Sequence, residues 1–325
     1  MLSAASPERQ QTRLPRGCAS GLHFWTVLLD CASRLGGVPE LPEVEALAAD
    51  LRGRLRDRAI VRVDVAAFSA LKTFDPPISA LSGTLVEDVT RHGKFLDITA
   101  SGLHLVMHLS RAGWVRWRDE VPATPLKPSS KSPLAARVVL DDGAGLDISE
   151  AGTKKRLALY VVHTPGDVPG IVRLGPDPLS TEFTETTLRE ILQAAGRAQL
   201  KGVLRDQGTI AGIGNAYSDE LLHAARMSPF KPASSLSGDD VSVLFRAIKQ
   251  VLGDAVERSR GLAASELKAE KKSHLAVHGR TGEACPVCGD TVREVSFADS
   301  SLQYCPTCQT GGKPLADRRM SKLLK

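Results

Sequence analysis

Four cysteines near the end of the chain have the spacing of a metal site. They form two C-x-x-C pairs, Cys285-Pro-Val-Cys288 and Cys305-Pro-Thr-Cys308, with 16 residues between the pairs. Four thiolates at this spacing satisfy the tetrahedral coordination of structural zinc, and they favour it over two redox-active or free thiol pairs. The sequence therefore predicts one structural Zn²⁺ that holds together a small hairpin with little core of its own.

A glycine-rich turn is the second group of residues that could do chemistry. Residues 206–215 (Asp-Gln-Gly-Thr-Ile-Ala-Gly-Ile-Gly-Asn) link two predicted helices. A turn aimed at a helix N-terminus presents backbone N–H groups that suit a phosphate, but most glycine-rich turns bind nothing. Residues 259–325 carry 11 basic and 7 acidic side chains. This basic segment around the cysteines favours nucleic acid as the partner.

Composition limits the class of protein. The 325 residues carry 42 Lys and Arg against 37 Asp and Glu, a formal charge of +5, and 42% of them are apolar. No apolar run approaches the roughly 18–20 residues of a membrane helix, and six cysteines are too few for a disulfide-stapled secreted domain. We therefore expect a folded cytoplasmic protein of about two domains.

Two differently patterned regions must position these residues. A helix is expected to begin near Pro42, with Val44, Leu47, Leu51 and Leu55 as its apolar stripe. Short β-like runs follow at 60–65, 83–89, 95–99, 103–109, 114–117, 137–140 and 157–162, which is typical of a sandwich or barrel. Helical spacing then predicts helices at 184–195, 199–205, 216–227 and 238–258.

A series of segments resembles one enzyme family. The series covers about residues 39–309 and resembles the formamidopyrimidine-DNA glycosylase / endonuclease VIII family of base-excision repair enzymes, with an N-terminus closer to the formamidopyrimidine branch. Together the segments are highly specific. They are Pro39-Glu-Leu-Pro-Glu-Val-Glu45, Arg91-His-Gly-Lys94, His108-Leu109 with Gly113, Leu174-Gly-Pro-Asp-Pro-Leu-Ser180, Ala211-Gly-Ile-Gly-Asn-Ala-Tyr-Ser-Asp-Glu220, His278-Gly-Arg-Thr-Gly-Glu283 and the four cysteines.

The resemblance implies an α+β multidomain fold. An N-terminal helix and catalytic β-sandwich would span 39–165, a helix-two-turn-helix DNA-binding domain 166–262, a zinc-ribbon hairpin 263–312 and a basic tail 313–325. Residues 1–38 lack a helical or strand period, contain Cys18 and Cys31, and match a secretory signal only poorly. We expect this segment to be an untranslated or disordered extension.

The resemblance also assigns catalytic roles. In this family the secondary amine of an N-terminal proline, here Pro39, attacks C1′ of a flipped-out nucleotide and forms a Schiff base. Glu40 would be the acid/base that protonates the sugar oxygen. Lys94 matches a lysine assigned to β-elimination, and Glu43 matches a carboxylate that helps to hold the N-terminus.

Four further residues are expected to contact DNA. Lys201 and Asn215 match groups that bind the phosphates flanking the lesion. Arg111 stands where the family has a methionine that fills the gap left by the flipped base, and Arg197 completes the expected set. The implied partner is damaged double-stranded DNA, bound by a monomer at the bacterial nucleoid without a nucleotide cofactor or membrane contact.

Three departures put the lesion and the cleavage product in doubt. Ser300 replaces the hairpin arginine that the family uses for δ-elimination. The loop that caps 8-oxoguanine corresponds to Gly261–Leu275, which is shorter and lacks aromatic residues. The wedge loop corresponds to Thr153-Lys-Lys-Arg-Leu157 without a secure alignment. We therefore expect mainly β-elimination.

Pro39 can act only if its nitrogen is free. In the full chain this nitrogen is a tertiary amide bonded to Val38. A GTG start codon would be written as valine although translation begins there with methionine, which is removed before a small residue such as proline. We therefore expect the working chain to start at Pro39.

Three hypotheses remain open at this stage. The first is a bifunctional glycosylase and lyase for abasic (AP) sites that removes oxidised bases. The second is a relative that binds damaged or abasic DNA with little base excision, which Ser300 and Arg111 favour. The third, an unrelated zinc-ribbon module fused to a β domain, leaves Pro39 to Glu45 without explanation.

Overall fold

The computed structural model describes residues 38–129, 132–152, 154–297 and 300–316. The expected extension up to residue 37, with Cys18 and Cys31, lies outside these residues. So do Thr153 of the expected wedge segment and residues 317–325 of the expected basic tail. Within the described part of the chain, no helix is both long enough and apolar enough to cross a bilayer.

The N-terminal domain is a helix followed by two antiparallel sheets, as predicted. Helix α1 spans Leu41–Leu55, and its predicted apolar stripe is buried in a core shared with both sheets. The strands are β1 Ile60–Val65, β2 Val86–His92, β3 Phe95–Ala100, β4 Leu103–His108, β5 Gly113–Arg118, β6 Leu134–Leu140, β7 Gly145–Glu150 and β8 Ala158–Val162. One sheet has the order β1-β6-β7-β5 and the other β2-β3-β4-β8.

Strand β7 is an element that the sequence pattern misses. Asp147 interrupts its apolar residues and makes the segment look like a polar loop. In the structure Asp147 is only 5% exposed and accepts hydrogen bonds from Arg137 Nε at 2.6 Å and Arg118 Nε at 2.9 Å. The two guanidinium groups compensate the burial of this carboxylate, so a central strand tolerates it.

The helical domain follows the predicted order. It comprises α2 Pro169–Val172, α3 Glu185–Ala194, α4 Leu200–Arg205, α5 Asn215–Ala224 and α6 Gly238–Ser259. Side chains cap α3 and α6, since Thr184 Oγ1 accepts from Thr187 N at 3.2 Å and Ser237 Oγ accepts from Asp240 N at 3.1 Å. The glycine-rich turn precedes α5 and aims its N-terminus at α1.

A further helix replaces most of the expected capping loop at Gly261–Leu275. Helix α7 spans Leu267–His274. Its first residue, Leu267, is fully buried in the core of the N-terminal domain, and Trp114 Nε1 donates to Ala264 O at 3.0 Å just before it. The expectation of a loop was wrong. The helix is held by contacts with the N-terminal domain, and such distant contacts produce no recognisable pattern in the sequence of the segment.

The chain ends in a small ribbon. Strands β9 Arg293–Ser296 and β10 Ser301–Tyr304 form an antiparallel hairpin in which Ser301 pairs with Ser296. Helix α8, Pro306–Thr310, follows, with Cys305 as its N-cap residue. Ser300 lies at the tip of this hairpin, as predicted.

Candidate active site

Glu40 joins the N-terminal domain to the helical domain. It precedes α1, and its carboxylate reaches the N-terminus of α5. Oε2 accepts the N–H groups of Gly214 at 2.6 Å and Tyr217 at 3.3 Å, and Oε1 accepts that of Ala216 at 2.9 Å. The positive end of a helix dipole and its free N–H groups stabilise an anion at this place.

The groups around Glu40 determine the charge of its carboxyl. Burial raises the pKa of its carboxyl, but the Lys271 and Lys94 ammonium groups and the Ala216 N–H act in the opposite direction, and the net shift is downward. Glu40 is therefore an anion at neutral pH. It can accept a proton before it donates one.

Two glycines of the predicted turn permit this contact. A Cβ on Gly214 would lie 2.4 Å from Glu40 Cδ, and a Cβ on Gly212 would lie 2.7 Å from the Leu41 side chain. Gly212 also has a φ of +85°, which favours glycine. The turn thus binds an anion, but that anion is the protein's own carboxylate. The phosphate interpretation of 206–215 is wrong for these N–H groups.

Glu43 and Lys271 form a buried ion pair behind Glu40. Lys271 Nζ on α7 lies 2.7 Å from Glu43 Oε2 and 3.7 Å from Glu40 Oε1. Glu43 Oε2 also accepts the Glu40 N–H at 2.8 Å, and Tyr217 Oη donates to Glu43 Oε1 at 2.8 Å. Glu43 thereby completes a hydrogen bond to the backbone at the start of α1. Sequence reasoning missed Lys271, which sits among ordinary charged residues of α7.

Burial acts on both partners of this pair. It raises the pKa of the Glu43 carboxyl, and the nearby Glu40 charge adds to that increase while Lys271 opposes it. It lowers the pKa of the Lys271 ammonium, but Glu43 and Glu40 reverse the effect and the net shift is upward. We therefore take Lys271 to be charged at neutral pH.

Lys94 enters the same site from the turn between β2 and β3. Its Nζ donates to Ile213 O at 2.9 Å, beside the turn that holds Glu40. Gly93 has a φ of +56°, and a Cβ there would lie 3.1 Å from the Leu174 side chain, so the turn packs closely on the helical domain. Burial lowers the pKa of the Lys94 ammonium, which makes a neutral, basic amine more accessible.

Pro39 directly precedes Glu40 in the chain. It is buried, and the carbonyl of Val38, bonded to its nitrogen, accepts from Lys271 Nζ at 3.1 Å. The structure therefore brings together all four predicted catalytic residues: Pro39, Glu40, Glu43 and Lys94.

The expected phosphate-binding residues are tied into the protein. Lys201 is 5% exposed, and its Nζ donates to Asp219 Oδ1 and Ser218 Oγ, both at 2.7 Å. It also donates to Asn215 O at 3.0 Å. Asn215 Nδ2 donates to Ser301 O at 2.8 Å, whereas its buried Oδ1 has no hydrogen-bond partner. Lys201 therefore supports the backbone at Asn215 from inside the domain.

The remaining predicted contacts lie on the surface. Arg111 is exposed in the turn between β4 and β5, and Arg197 is exposed between α3 and α4. The structure does not place either within the group around Glu40. Ser300 is half-buried, and its carbonyl accepts the Phe297 N–H at 2.8 Å.

The four cysteines converge as the sequence predicts. Their Sγ atoms all lie within 4.8 Å of one another, with Cys285 3.9 Å from Cys308 and Cys288 3.3 Å from Cys305. A tetrahedron with Zn–S bonds of about 2.3 Å has sulfur atoms about 3.8 Å apart, so this set fits one zinc ion. The protein carries one structural zinc site. His223 Nε2 on α5 lies 3.3 Å from Cys285 Sγ and supports the ligand, a role with no sequence signal.

Comparisons with known proteins agree with this arrangement. Family profiles match the formamidopyrimidine-DNA glycosylase N-terminal domain at residues 38–153, its H2TH domain at 174–266, and a zinc finger found in FPG and IleRS at 282–311.

Individual relatives agree as well. The Symbiobacterium thermophilum formamidopyrimidine-DNA glycosylase is 36% identical over 295 residues, covering 87% of this chain and 93% of the relative. An uncharacterised formamidopyrimidine-DNA glycosylase-like protein of Mycobacterium tuberculosis is 60% identical over 152 residues, 47% of this chain and 94% of the relative. The solved complex of the Lactococcus lactis Fpg with abasic-site DNA has a TM-score of 0.72 at 26% identity, covering 83% of this chain and 99% of that one.

Proposed function

The chain belongs to the formamidopyrimidine-DNA glycosylase family, and from that premise we propose that it is a base-excision repair glycosylase with AP lyase activity. Its partner is damaged double-stranded DNA, which it binds as a monomer without a nucleotide cofactor. The observation that carries the proposal is the convergence of Pro39, Glu40 and Lys94 at the junction of two domains. A Lactococcus lactis relative was solved with abasic-site DNA, which supports the choice of partner.

The working enzyme begins at Pro39 in this proposal. The matched N-terminal domain starts at residue 38. This supports a start near Pro39, where the proline nitrogen becomes a secondary amine. An amide nitrogen has no free lone pair and could not attack.

Glu40 accepts a proton from the Pro39 nitrogen and then donates a proton to the sugar oxygen. The neutral Pro39 nitrogen bonds to C1′ of the flipped nucleotide, the bond from C1′ to the base breaks, and the base leaves with the electron pair and takes a proton from water. The nitrogen proton passes to the Glu40 carboxylate, which then protonates the sugar oxygen and opens the ring. The product is a cationic iminium on Pro39.

Strand scission follows from the iminium. Its positive charge acidifies the C2′ hydrogen, which a base removes while the bond from C3′ to the phosphate oxygen breaks. Lys94 is the candidate base, because burial lowers the pKa of its ammonium. Hydrolysis of the iminium releases Pro39. Asn215, Arg111 and Arg197 are the candidate DNA contacts in this proposal, with Lys201 supporting Asn215.

Borohydride trapping tests this function. The chain starting at Pro39 should form a covalent adduct with a duplex containing an abasic site, and the adduct should map to Pro39. The same sequence starting at Met1, with the amine blocked, is the matched control and should form none. Glu40→Gln should bind the duplex but excise a damaged base at least 100-fold more slowly. Absence of any adduct with the Pro39-start chain would refute the proposal.

One observation favours a second candidate function, recognition of abasic sites with little base excision. The segment that would cap a damaged base is mostly the docked helix α7, fixed by Leu267 and by the bond from Trp114 to Ala264. A docked helix adapts less to different bases than a free loop does. Release of a damaged base from intact duplex, compared with cleavage of an abasic site, distinguishes the two functions.

A further inference from the structure

Lys271 is a buried charged residue to which the proposed mechanism gives no role. It is 6% exposed, lies on α7, and makes three contacts: Glu43, Glu40 and the Val38 carbonyl. Its Nζ also lies 4.7 Å from the centre of the Tyr217 ring. A lysine side chain is almost never fully buried unless its charge is paired.

The contact with Val38 locates Lys271 relative to the nucleophile. The carbonyl oxygen of Val38 and the nitrogen of Pro39 belong to one peptide group, two bonds of about 1.2 and 1.3 Å apart. Since Nζ lies 3.1 Å from that oxygen, it lies at most about 6 Å from the Pro39 nitrogen. In a chain that starts at Pro39, this carbonyl is gone and the ammonium faces the free amine.

Carboxylates and ammonium groups both surround that amine. Glu40 and Glu43 lie at the start of α1, Lys271 of α7 forms an ion pair with Glu43, and Lys94 approaches from the β2–β3 turn. Tyr217 on α5 adds a neutral hydroxyl, since burial raises its pKa. The residues that act on this group from farther away are Arg205, on Lys94, His278, on Glu40, and Glu270, on Tyr217. Without Lys271, Lys94 would be the one lysine beside the two carboxylates.

We propose that Lys271 is a positioning residue that balances Glu40 and Glu43 and thereby keeps the Pro39 amine neutral and nucleophilic. The inference rests on the proposed function, because it needs Pro39 as a free N-terminal amine. A neutral secondary amine has the lone pair that attacks C1′, whereas its protonated form does not. Lys271 does not touch substrate and forms no bond to it.

The pH dependence of adduct formation measures this role. For the Pro39-start chain, the trapping rate on an abasic duplex rises with pH as the amine loses its proton. Lys271→Met removes one positive charge about 6 Å away, and at an effective dielectric constant of about 20 this should move the midpoint of the rise up by about 1–2 pH units. At pH 7 the rate should fall about 10- to 100-fold, while the alkaline plateau stays close to that of the unmodified chain.

Two further variants separate charge from folding. The double variant Glu43→Gln/Lys271→Met removes one charge of each sign and leaves no unpaired buried carboxylate, so its midpoint should return toward that of the unmodified chain. Lys272→Met, at the exposed neighbouring position, is the matched control and should leave the midpoint unchanged. Thermal melting of each variant reports its folding independently.

The outcomes test the role of Lys271 separately from the proposed function of the protein. An unmodified Pro39-start chain that forms no adduct at any pH refutes the proposed function. An unmodified chain that reacts, with Lys271→Met showing the same midpoint or the double variant failing to restore it, overturns the role of Lys271 alone. An adduct that maps to Lys271 would also overturn it, because the lysine would then be the nucleophile.

Discussion

Replacing Gly214 with alanine places a methyl group where the Glu40 carboxylate now lies. The new Cβ would be 2.4 Å from Glu40 Cδ and 2.6 and 2.7 Å from the two carboxylate oxygens. Ordinary contact begins near 3.4 Å, so the carboxylate must withdraw by about 1 Å. Each bond between a charged group and an N–H contributes about 1.5–3 kcal/mol, and a catalytic group displaced by about 1 Å can cost about 100-fold in rate.

Single-turnover excision from a damaged duplex measures the effect. We expect Gly214→Ala to reduce the rate constant about 100-fold and to bind duplex DNA with little change, because affinity comes mainly from phosphate contacts. Gly253→Ala in α6 is the matched control, since a Cβ there meets nothing within 4 Å and alanine favours a helix by about 0.5–1 kcal/mol. If Gly214→Ala excises at the unmodified rate, the bonds from α5 to Glu40 do not position the acid/base.

Three other outcomes are expected. Intact-mass measurement of the protein from its natural host should give a chain that begins at Pro39, and a mass that includes residues 1–38 would contradict the proposed start. Cys285→Ser should abolish zinc binding, measured by metal analysis. It should also weaken DNA binding while the N-terminal domain stays folded. Full zinc content in this variant would contradict the four-cysteine site. Cleavage of an abasic duplex should yield mainly the 3′-unsaturated aldehyde. Ser300→Arg should raise the share of 3′-phosphate among the products on a sequencing gel. It should also tighten DNA binding about fivefold, as expected for one added phosphate contact of about 1 kcal/mol. Predominant 3′-phosphate from the unmodified chain would refute that reasoning.

The sequence predicts local features well and distant pairings poorly. The α1 stripe and the two C-x-x-C pairs follow from spacing within a few residues, and both are confirmed. The contact of Glu40 with Gly214 joins residues 174 positions apart, and the contact of Lys271 with Glu43 joins residues 228 positions apart. No local period encodes such pairs.

The resemblance to a family supplied part of what spacing could not. It predicts Pro39, Glu40, Glu43 and Lys94 as a group, and the structure brings them together. It gave no sign of α7, because the segment departs from the family pattern at that place. A buried charged residue cannot be recognised from the sequence when its partners lie on other elements. Asp147 is an example, because its partners Arg118 and Arg137 lie on other strands.

Helix α5 connects the three predicted domains, because it contacts buried residues of the N-terminal domain and of the ribbon. Its first turn holds the Glu40 carboxylate, its last turn carries His223 against Cys285, and Glu220 between them accepts the N–H groups that lead into the ribbon, including Val277 at 3.0 Å. The helix has ten residues, about 15 Å, and is stiff over that length. A ribbon or sandwich transplanted alone would therefore lose buried partners, and a graft between homologues should exchange α5 together with everything that it touches.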